Sequence, residues 1–178
     1  MWVFQGYAAG PHYDVGGGGS NLLCLPEDPQ WKNYLNGYST YSGRIAGVKY
    51  EIFNSGYSYE NSVFSEANNG GNSLGEKAAS CAVCYVGGRS TVVMIPARTQ
   101  CPDGWTMEYG GYLASDASHD KNRKRSSYVC LDEVPEVAAG GTHQQDQATI
   151  YPVEVQCETL PCSLYINGRE LTCVVCSK

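Results

Sequence analysis

A chain of 178 residues with nine cysteines and a net charge of −6 is long enough for one or two domains. Its acidic balance argues against nucleic-acid binding, which needs a basic surface that displaces counterions. No apolar run approaches the ~20 residues that span a bilayer, so we expect no membrane insertion. The number of cysteines is typical of an oxidising compartment and predicts a secreted, extracellular protein.

Strand signals recur along the chain in place of helical periodicity. Gly- and Asn-rich segments separate these runs and predict turns. The dipeptide Asn167-Gly168 predicts a two-residue hairpin between 164–166 and 169–171, because both residues tolerate a positive φ. Only 29–35 offers a helix start, of one or two turns. We therefore predict an all-β fold with long loops and little helix. In chain order, alternating or β-branched runs predict strands at 48–53, 91–95, 127–131, 149–155 and 170–176.

The order and spacing of several landmarks indicate an internal duplication. The segment Cys81-Ala-Val-Cys84 is followed 92 residues later by Cys173-Val-Val-Cys176. Each lies downstream of a Cys-Leu-x-Glu-x-Pro segment, which begins at Cys24 in the first half and at Cys130 in the second. A Gly-Tyr segment precedes each of these, 17 or 18 residues upstream. Landmarks in a conserved order predict two related, disulfide-stapled lobes. The predicted boundaries are 1–96 and 97–178.

The cysteine pattern favours structural disulfides. Zinc knuckles place their Cys-x-x-Cys pairs about 15–20 residues apart, and a thioredoxin-type pair needs a helix N-terminus. Neither context is present. Residues i and i+3 of a strand point to opposite faces, so the two cysteines of each pair should reach different partners. We favour bridges from Cys173 and Cys176 to Cys101 and Cys130. Cys24 would then bond to Cys81 or Cys84, and Cys157 and Cys162 would close a local loop. The predicted disulfide cysteines are Cys24, Cys81, Cys84, Cys101, Cys130, Cys157, Cys162, Cys173 and Cys176.

The first lobe is one cysteine short of the second. The second lobe contains six cysteines and opens with Cys101, four residues before Trp105. The first lobe contains three, and the position equivalent to Cys101 would fall just before Met1. An odd cysteine in a secreted protein needs an explanation. We expect that an N-terminal strand and its cysteine, which belong before Met1, are missing from this chain.

Candidate ligand-binding residues follow the Gly-Tyr segments and lie in a tyrosine-rich loop. Histidines and aspartates occupy comparable places in the two lobes, where they would polarise a ligand hydroxyl, coordinate a metal or simply lie in solvent. Tyrosines interleaved with Gly, Ser and Asn are typical of recognition loops, although they also suit a core that lacks aliphatic residues. The predicted ligand-binding residues are His12, Asp14, Tyr38, Tyr41, Asp116 and His119.

Catalytic motifs are lacking. The chain contains no Gly-x-Ser-x-Gly elbow and no His-Glu-x-x-His, and no activated nucleophile can be named, so we predict that it is not an enzyme. We expect no cofactor and no dedicated metal site. Carboxylates at Glu27 and Asp28, and at Asp132 and Glu133, keep calcium open as a ligand, since hard cations prefer clustered oxygens. EF-hand spacing is absent.

Several segments together resemble a known family. The most specific are Asn21-Leu-Leu-Cys-Leu-Pro-Glu-Asp-Pro29, Cys101-Pro-Asp-Gly-Trp105 and Gly168-Arg-Glu-Leu-Thr-Cys-Val-Val-Cys176. They are similar to the cysteine-rich C-terminal domain of invertebrate short-chain collagen-like proteins, and the similarity covers nearly the whole chain. Family members often begin with a strand and a Cys-Pro, which this chain lacks, and no Gly-X-Y repeat is present. The resemblance implies an extracellular, non-enzymatic role. The further segments that carry it are 81–84, 94–98, 109–113 and 128–132.

These observations predict a secreted, non-enzymatic recognition or matrix protein. Its tyrosine- and glycine-rich loops would bind extracellular glycans in a lectin-like manner. The alternative is a structural module that assembles or trimerises collagen-like or filamentous matrix subunits, with matrix proteins or further copies of the chain as partners. A secreted enzyme that uses the histidines and aspartates is a third, weaker interpretation.

Overall fold

In a computed structural model, the chain is described over residues 1–14, 19–33, 35–37, 39, 42–51, 53–54, 57–58, 64, 74–75, 77–116, 126–142, 148–156 and 158–178. These residues form strands and no helix, which confirms the all-β prediction. The twelve strands among them are β1 (Trp2–Gly10), β2 (Leu23–Pro26), β3 (Ala46–Tyr50), β4 (Phe53–Asn54), β5 (Tyr57–Ser58), β6 (Lys77–Cys84), β7 (Val92–Pro96), β8 (Thr106–Ser115), β9 (Val129–Asp132), β10 (Val137–Thr142), β11 (Ala148–Pro152) and β12 (Thr172–Ser177).

The candidate helical turn at 29–35 is not helical at any described position. Trp31 and Leu35 are both exposed, so the described apolar side chains of this stretch form no buried face that would hold a helix against the rest of the protein.

Ten of the described strands form one sheet. Its order is β10-β6-β1-β3-β11-β8-β12-β7, with β2 paired to β1 and β9 paired to β8. Strands β4 and β5 form a separate two-stranded ribbon. Among the described pairs, β3 and β11 are parallel, with Val48 opposite Ala148, and the other pairs are antiparallel. The middle of the sheet is therefore a parallel seam between one segment from each half of the chain.

Two groups of three strands share the same register. We call β2, β1 and β6 the N-terminal triplet and β9, β8 and β12 the C-terminal triplet. In the first, Gly6 lies opposite Cys81 on β6. In the second, Gly111 lies opposite Cys173 on β12. Near one end of each triplet the pairing register shifts by one residue. The shift lies at Trp2/Phe4 in the N-terminal triplet and at Val175/Cys176 in the C-terminal triplet. Position 6 thus corresponds to position 111, and strand β6 to strand β12.

Each triplet is curled so that its two outer strands meet over the central one. Strands on either side of a third are roughly 9–10 Å apart in a flat sheet. Here the Cα atoms of Cys24 on β2 and Cys81 on β6 are 5.6 Å apart, and those of Cys130 on β9 and Cys173 on β12 are 5.7 Å apart. A disulfide joins each of these pairs. Each bridge therefore closes a triplet across its central strand.

The glycine of each Gly-Tyr segment is explained by this curl. A Cβ atom added to Gly6 would lie 1.8 Å from the carbonyl oxygen of Leu25, and one added to Gly111 would lie 1.9 Å from that of Leu131. The backbone of the neighbouring strand fills the space that a side chain would need. Only glycine permits this close approach.

The core lies where β3 and β11 meet and is built largely from small or aromatic side chains. Tyr50 is fully buried, and its hydroxyl donates a hydrogen bond to the carbonyl oxygen of Glu136 at 2.7 Å. Phe64 packs edge-on against Tyr112, with ring centroids 5.4 Å apart. Tyr50 shows that tyrosine serves as core filler at this position. The core residues are Val48, Tyr50, Phe64, Leu74, Ala79, Ala114, Ala148 and Ile150.

The second-half disulfides follow the pairing favoured by the strand argument. Cys173 bonds to Cys130, and Cys176 bonds to Cys101. Cys162 is also disulfide-bonded, whereas Cys157 lies outside the described residues. The two cysteines of a Cys-x-x-Cys strand therefore serve different bridges, because they project from opposite faces.

The assignment of Cys84 to a disulfide was wrong for this chain. Cys24 bonds to Cys81, and Cys84 is free and exposed. The register explains the choice, because Cys81 lies opposite Gly6 and faces β2 across the curled triplet. Cys84 corresponds to Cys176 and projects from the other face.

The turn at Asn167-Gly168 is present, but the hairpin predicted around it is not. Gly168 has a φ of +74°, and the amide of Arg169 donates to the carbonyl of Ile166 at 3.2 Å. Apart from this turn hydrogen bond, residues 164–166 and 169–171 do not pair as two strands. Instead, the amide of Val155 donates to the carbonyl of Arg169. The backbone N–H and C=O groups after the turn form their hydrogen bonds with the segment that follows β11. These longer-range bonds replace the ones that a local hairpin would make.

Candidate functional site

The predicted ligand residues His12 and Asp14 lie in the turn that follows β1. The Nδ1 atom of His12 accepts a hydrogen bond from the backbone amide of Asp14 at 3.2 Å. The His12 ring stacks on Tyr13, with centroids 5.2 Å apart and planes inclined by 18°. Asp14 is exposed, and both rings are half-buried. The turn thus presents a stacked aromatic pair beside a solvated carboxylate.

Asp116 has a different environment. It follows β8, and its Oδ1 atom accepts a hydrogen bond from the hydroxyl of Thr149 at 2.5 Å. Its amide donates to Oγ of Ser126 at 3.0 Å. Thr149 is buried on β11, so this aspartate fastens the end of β8 to the neighbouring strand. Within the described part of the chain, the Asp14 carboxylate has no counterpart to the Asp116–Thr149 hydrogen bond, so the expected similarity of the two lobes does not extend to these carboxylates there.

The remaining predicted ligand residues, Tyr38, Tyr41 and His119, lie outside the described residues.

The carboxylate turn after Cys130 stabilises local backbone. Oδ1 of Asp132 accepts a hydrogen bond from the amide of Val134 at 2.8 Å, an Asx-turn that fixes the chain as it leaves β9. Among the described residues, no group of three or more His, Cys, Asp or Glu side chains is arranged to hold a metal ion.

The most distinctive surface was not among the predicted sites. It is the edge of β6 that faces away from β1, over residues 81–84, which we call the open edge. Strand β10 covers the first part of this edge, where Val137 pairs with Ala79 and Thr142 with Lys77. Beyond Ser80, whose hydroxyl donates to the carbonyl of Glu136, no described strand pairs with it.

The corresponding strand, β12, has both edges occupied. Strand β8 pairs with one edge, and β7 pairs with the other from Cys173 to Ser177. As a result, Cys176 and Ser177 are both 0% exposed. Their counterparts Cys84 and Tyr85 are both exposed, Tyr85 at 58%. The same strand position is therefore interior in one triplet and surface in the other.

Backbone polar groups point outward along the open edge. Met1 and Tyr85 exchange two hydrogen bonds, from each nitrogen to the other residue's carbonyl, at 3.0 and 2.8 Å. The backbone N–H and C=O groups of successive residues in a strand point to opposite edges, so those of Val83 point towards β1, as those of Tyr85 do. The N–H and C=O groups of Ala82 and Cys84 consequently face away from it. An unpaired row of this kind is a template for another strand.

Large apolar side chains surround the same end of the N-terminal triplet. Met1 is 87% exposed and Trp2 is 68% exposed, and Trp2 lies directly opposite Cys84. We call Met1, Trp2, Val3, Val83 and Tyr85 the apolar patch, which spans both faces of the triplet at this end because neighbouring strand positions face opposite sides. Extended apolar surfaces are uncommon on monomers and mark interaction sites.

A sequence signal for this surface did exist. The odd cysteine and the shortage in the first lobe both indicated that one first-lobe thiol lacks a partner within the chain. They did not identify which thiol, or the strand edge beside it, because edge exposure depends on which strands pair in three dimensions.

No protein-family model matches the chain, and no solved structure matches it significantly. Over the described part of the chain, there is no helix of the length and apolar character that would cross a bilayer.

Proposed function

We propose that the protein is a secreted, non-enzymatic module of the extracellular matrix that assembles with other protein chains through its N-terminal triplet. The observation that supports this best is the apolar patch beside the open edge. Trp2 is 68% exposed and Met1 87%, in a chain whose aliphatic content is low and whose core uses small residues. Burying such side chains against a partner would contribute roughly 1.5–3 kcal/mol each.

The disulfides support an extracellular setting. One bridge closes each triplet, and a third ties β12 to the segment after β7. Disulfides persist in oxidising environments and are rare in the cytosol. The resemblance to the C-terminal domains of short-chain collagen-like proteins suggests the class of partner, namely other chains of an extracellular fibre.

A matched pair of tryptophan variants tests the assembly role. Trp2→Ser removes an exposed indole from the apolar patch, and Trp31→Ser removes one that is 77% exposed elsewhere. Both are made in a Cys84→Ser background so that covalent dimers do not contribute. We expect the parent protein to self-associate in sedimentation velocity or to be retained on fibrillar collagen, and Trp2→Ser to lose this property while Trp31→Ser keeps it. A parent protein that does neither, or equal behaviour of the two variants, would refute the proposal.

Glycan binding is a second candidate function, supported by the turn after β1. The stacked His12–Tyr13 pair beside Asp14 offers an aromatic face and a carboxylate, a combination that suits a sugar ring. A glycan array probed with the oxidised protein, with and without calcium, tests this directly. Selective binding that Asp14→Asn abolishes supports the turn as the site, whereas a blank array from folded protein rejects this candidate.

A further inference from the structure

We infer that the open edge of β6 is a strand-addition site, which takes an antiparallel β-strand followed by a cysteine that bonds to Cys84. This inference rests on the proposed assembly role and narrows it to one edge, one thiol and one kind of partner. The occupant is a segment with the character of β7 and the Cys-Pro that follows it, supplied by another polypeptide chain.

The argument starts from the correspondence between β6 and β12. Both strands pair with a central strand in the same register and with the same irregularity near one end. Cys81 and Cys173 each close their triplet with a disulfide to the opposite outer strand. Three residues further along, Cys84 and Cys176 occupy matching positions. What β12 binds at its outer edge is therefore a direct guide to what β6 can bind.

Strand β7 and the residues after it supply β12 with both a neighbouring strand and a disulfide partner. It pairs antiparallel, with Pro96 opposite Cys173 and Val92 opposite Ser177. The chain then turns at Ala97, which has a φ of +58°, and returns so that Cys101 bonds to Cys176. A single short segment thus satisfies the strand edge and the thiol together.

Among the residues that the structure describes, strand β6 has neither of these partners along residues 81–84. The backbone groups of Ala82 and Cys84 face outward from β1, and Cys84 is a free, exposed thiol. The edge and the thiol are separate features, yet they lie on the same four residues. The edge also continues the line along which β10 already pairs with β6, so an added strand would extend an existing interface.

Alternating apolar side chains suit this position. In β7, Val93 and Ile95 are half-buried against the sheet, whereas Val92 and Met94 are exposed. A similar strand on β6 would lay its inward side chains beside the apolar patch, whose Trp2 lies opposite Cys84. Main-chain hydrogen bonds would give affinity, and the side chains on alternate positions would give specificity.

The covalent step is a thiol–disulfide exchange. The thiolate of Cys84 attacks the cysteine sulfur of the partner segment, which is held as a mixed disulfide with a small thiol. A new S–S bond forms between the two polypeptides as the old one breaks. The small thiol leaves as a thiolate and takes up a proton, so no net oxidation occurs.

The test uses a synthetic peptide that copies residues 91–103 of this chain, with its cysteine activated as a mixed disulfide with glutathione. A control peptide keeps the cysteine in place and scrambles the residues before it. Adduct formation with the oxidised, folded protein is followed by intact mass. We expect the native-order peptide to react with Cys84 about tenfold faster, because strand pairing raises the effective concentration of its cysteine.

Hydrogen exchange on the two covalent adducts gives a second readout. Both adducts tether a peptide to Cys84, so any difference between them reports strand pairing and not attachment. The native-order adduct should protect the amides of Ala82 and Cys84, while Val83, which already faces β1, should change little.

Two substitutions at one position make the inference falsifiable. Ala82→Pro removes an outward N–H without removing a bond to β1, and Ala82→Val keeps that N–H. The proline variant should lose the rate advantage and the valine variant should retain it, provided that both still form the Cys24–Cys81 bridge. Equal rates for the two peptides, absent protection, or a Cys84–Cys84 dimer that forms faster than the adduct would overturn the inference. Assembly that is lost in Trp2→Ser but unaffected by Ala82→Pro would overturn strand addition alone. The proposed assembly through the N-terminal triplet would then still hold.

Discussion

Substituting Gly111 by alanine should destabilise the protein far more than a glycine-to-alanine change normally does. The added Cβ atom would lie 1.9 Å from the carbonyl oxygen of Leu131, 2.8 Å from the amide nitrogen of Glu133 and 2.9 Å from the carbonyl carbon of Asp132. All three are backbone atoms of the adjacent strand and its exit. To reach ordinary contact, the oxygen would have to retreat by about 1.5 Å, a forced backbone shift of the kind that costs the most on overpacking.

That retreat is opposed by the bridge that holds β9 in place. Cys130 on β9 is bonded to Cys173 on β12, with their Cα atoms 5.7 Å apart, so β9 cannot simply swing away from β8. We therefore place the cost at about 3 kcal/mol, the upper part of the range for overpacked sites. For a chain of this size, this corresponds to a fall in Tm of roughly 6–12 °C.

Urea unfolding of the oxidised protein measures the loss, with Gly19→Ala as the matched control. A Cβ at Gly19 would meet nothing within 4 Å, so the free energy of unfolding of that variant should lie within about 0.5 kcal/mol of the parent. Gly6→Ala should behave like the Gly111 variant, because its Cβ would meet the carbonyl oxygen of Leu25 in the same way. A Gly111→Ala protein as stable as the control would show that the curl relaxes freely and would refute this account of the Gly-Tyr segments.

Three further outcomes are expected. Cys84→Ser should leave the free energy of unfolding within about 0.5 kcal/mol of the parent, since Cys84 is free and exposed. Cys176→Ser should lower the free energy of unfolding by about 4 kcal/mol, because it opens a bridge between residues 75 apart. Equal effects of the two substitutions in denaturant unfolding would contradict the assignment of the bridges. Asp116→Ala should cost about 2 kcal/mol by leaving the hydroxyl of buried Thr149 without its carboxylate acceptor, and Asp14→Ala should cost almost nothing, as thermal denaturation can show. Burial, with smaller contributions from Glu136 and Asp132, raises the pKa of Tyr50 above its ordinary value of about 10, so the folded state holds this proton more tightly than the unfolded state. Stability from Tyr50 is therefore complete below about pH 10 and declines above it, by up to roughly 1.4 kcal/mol per pH unit, and Tyr50→Phe should reduce that decline in unfolding measured across alkaline pH.

The strands that could be predicted are those whose own residues favour extended structure. The run at 91–95 and the run at 170–176 are rich in β-branched side chains, and both became strands. The two longest strands, β1 and β8, were not predicted, because Gly6, Ala8 and Ala9, or Gly110 and Gly111, carry little β-propensity. Their extended conformation is imposed by the strands on either side, which the disulfides draw together. This tertiary effect adds to the local β-propensity of the aromatic and β-branched residues that flank the glycines, such as Val3 in β1 and Tyr109 in β8.

The candidate site was predictable only in outline. Counting cysteines showed that one first-lobe thiol lacked a partner, but it could not separate Cys81 from Cys84. That choice follows from the register of β6 against β1, which places Cys81 opposite Gly6. The structural anchoring of Asp116 was likewise invisible, because its acceptor role depends on Thr149, 33 residues further along the chain.

The layout of the bridges limits how far the molecule can be stretched. One disulfide encloses the chain from Cys24 to Cys81, and another encloses it from Cys101 to Cys176, with the Cys130–Cys173 bridge nested inside. Only roughly 45 residues lie outside these loops, so tension applied between residues 1 and 178 could draw out about 160 Å of chain, against about 600 Å for the reduced polypeptide. The redox state of the surroundings would therefore determine how far a molecule under tension extends before a covalent bond breaks.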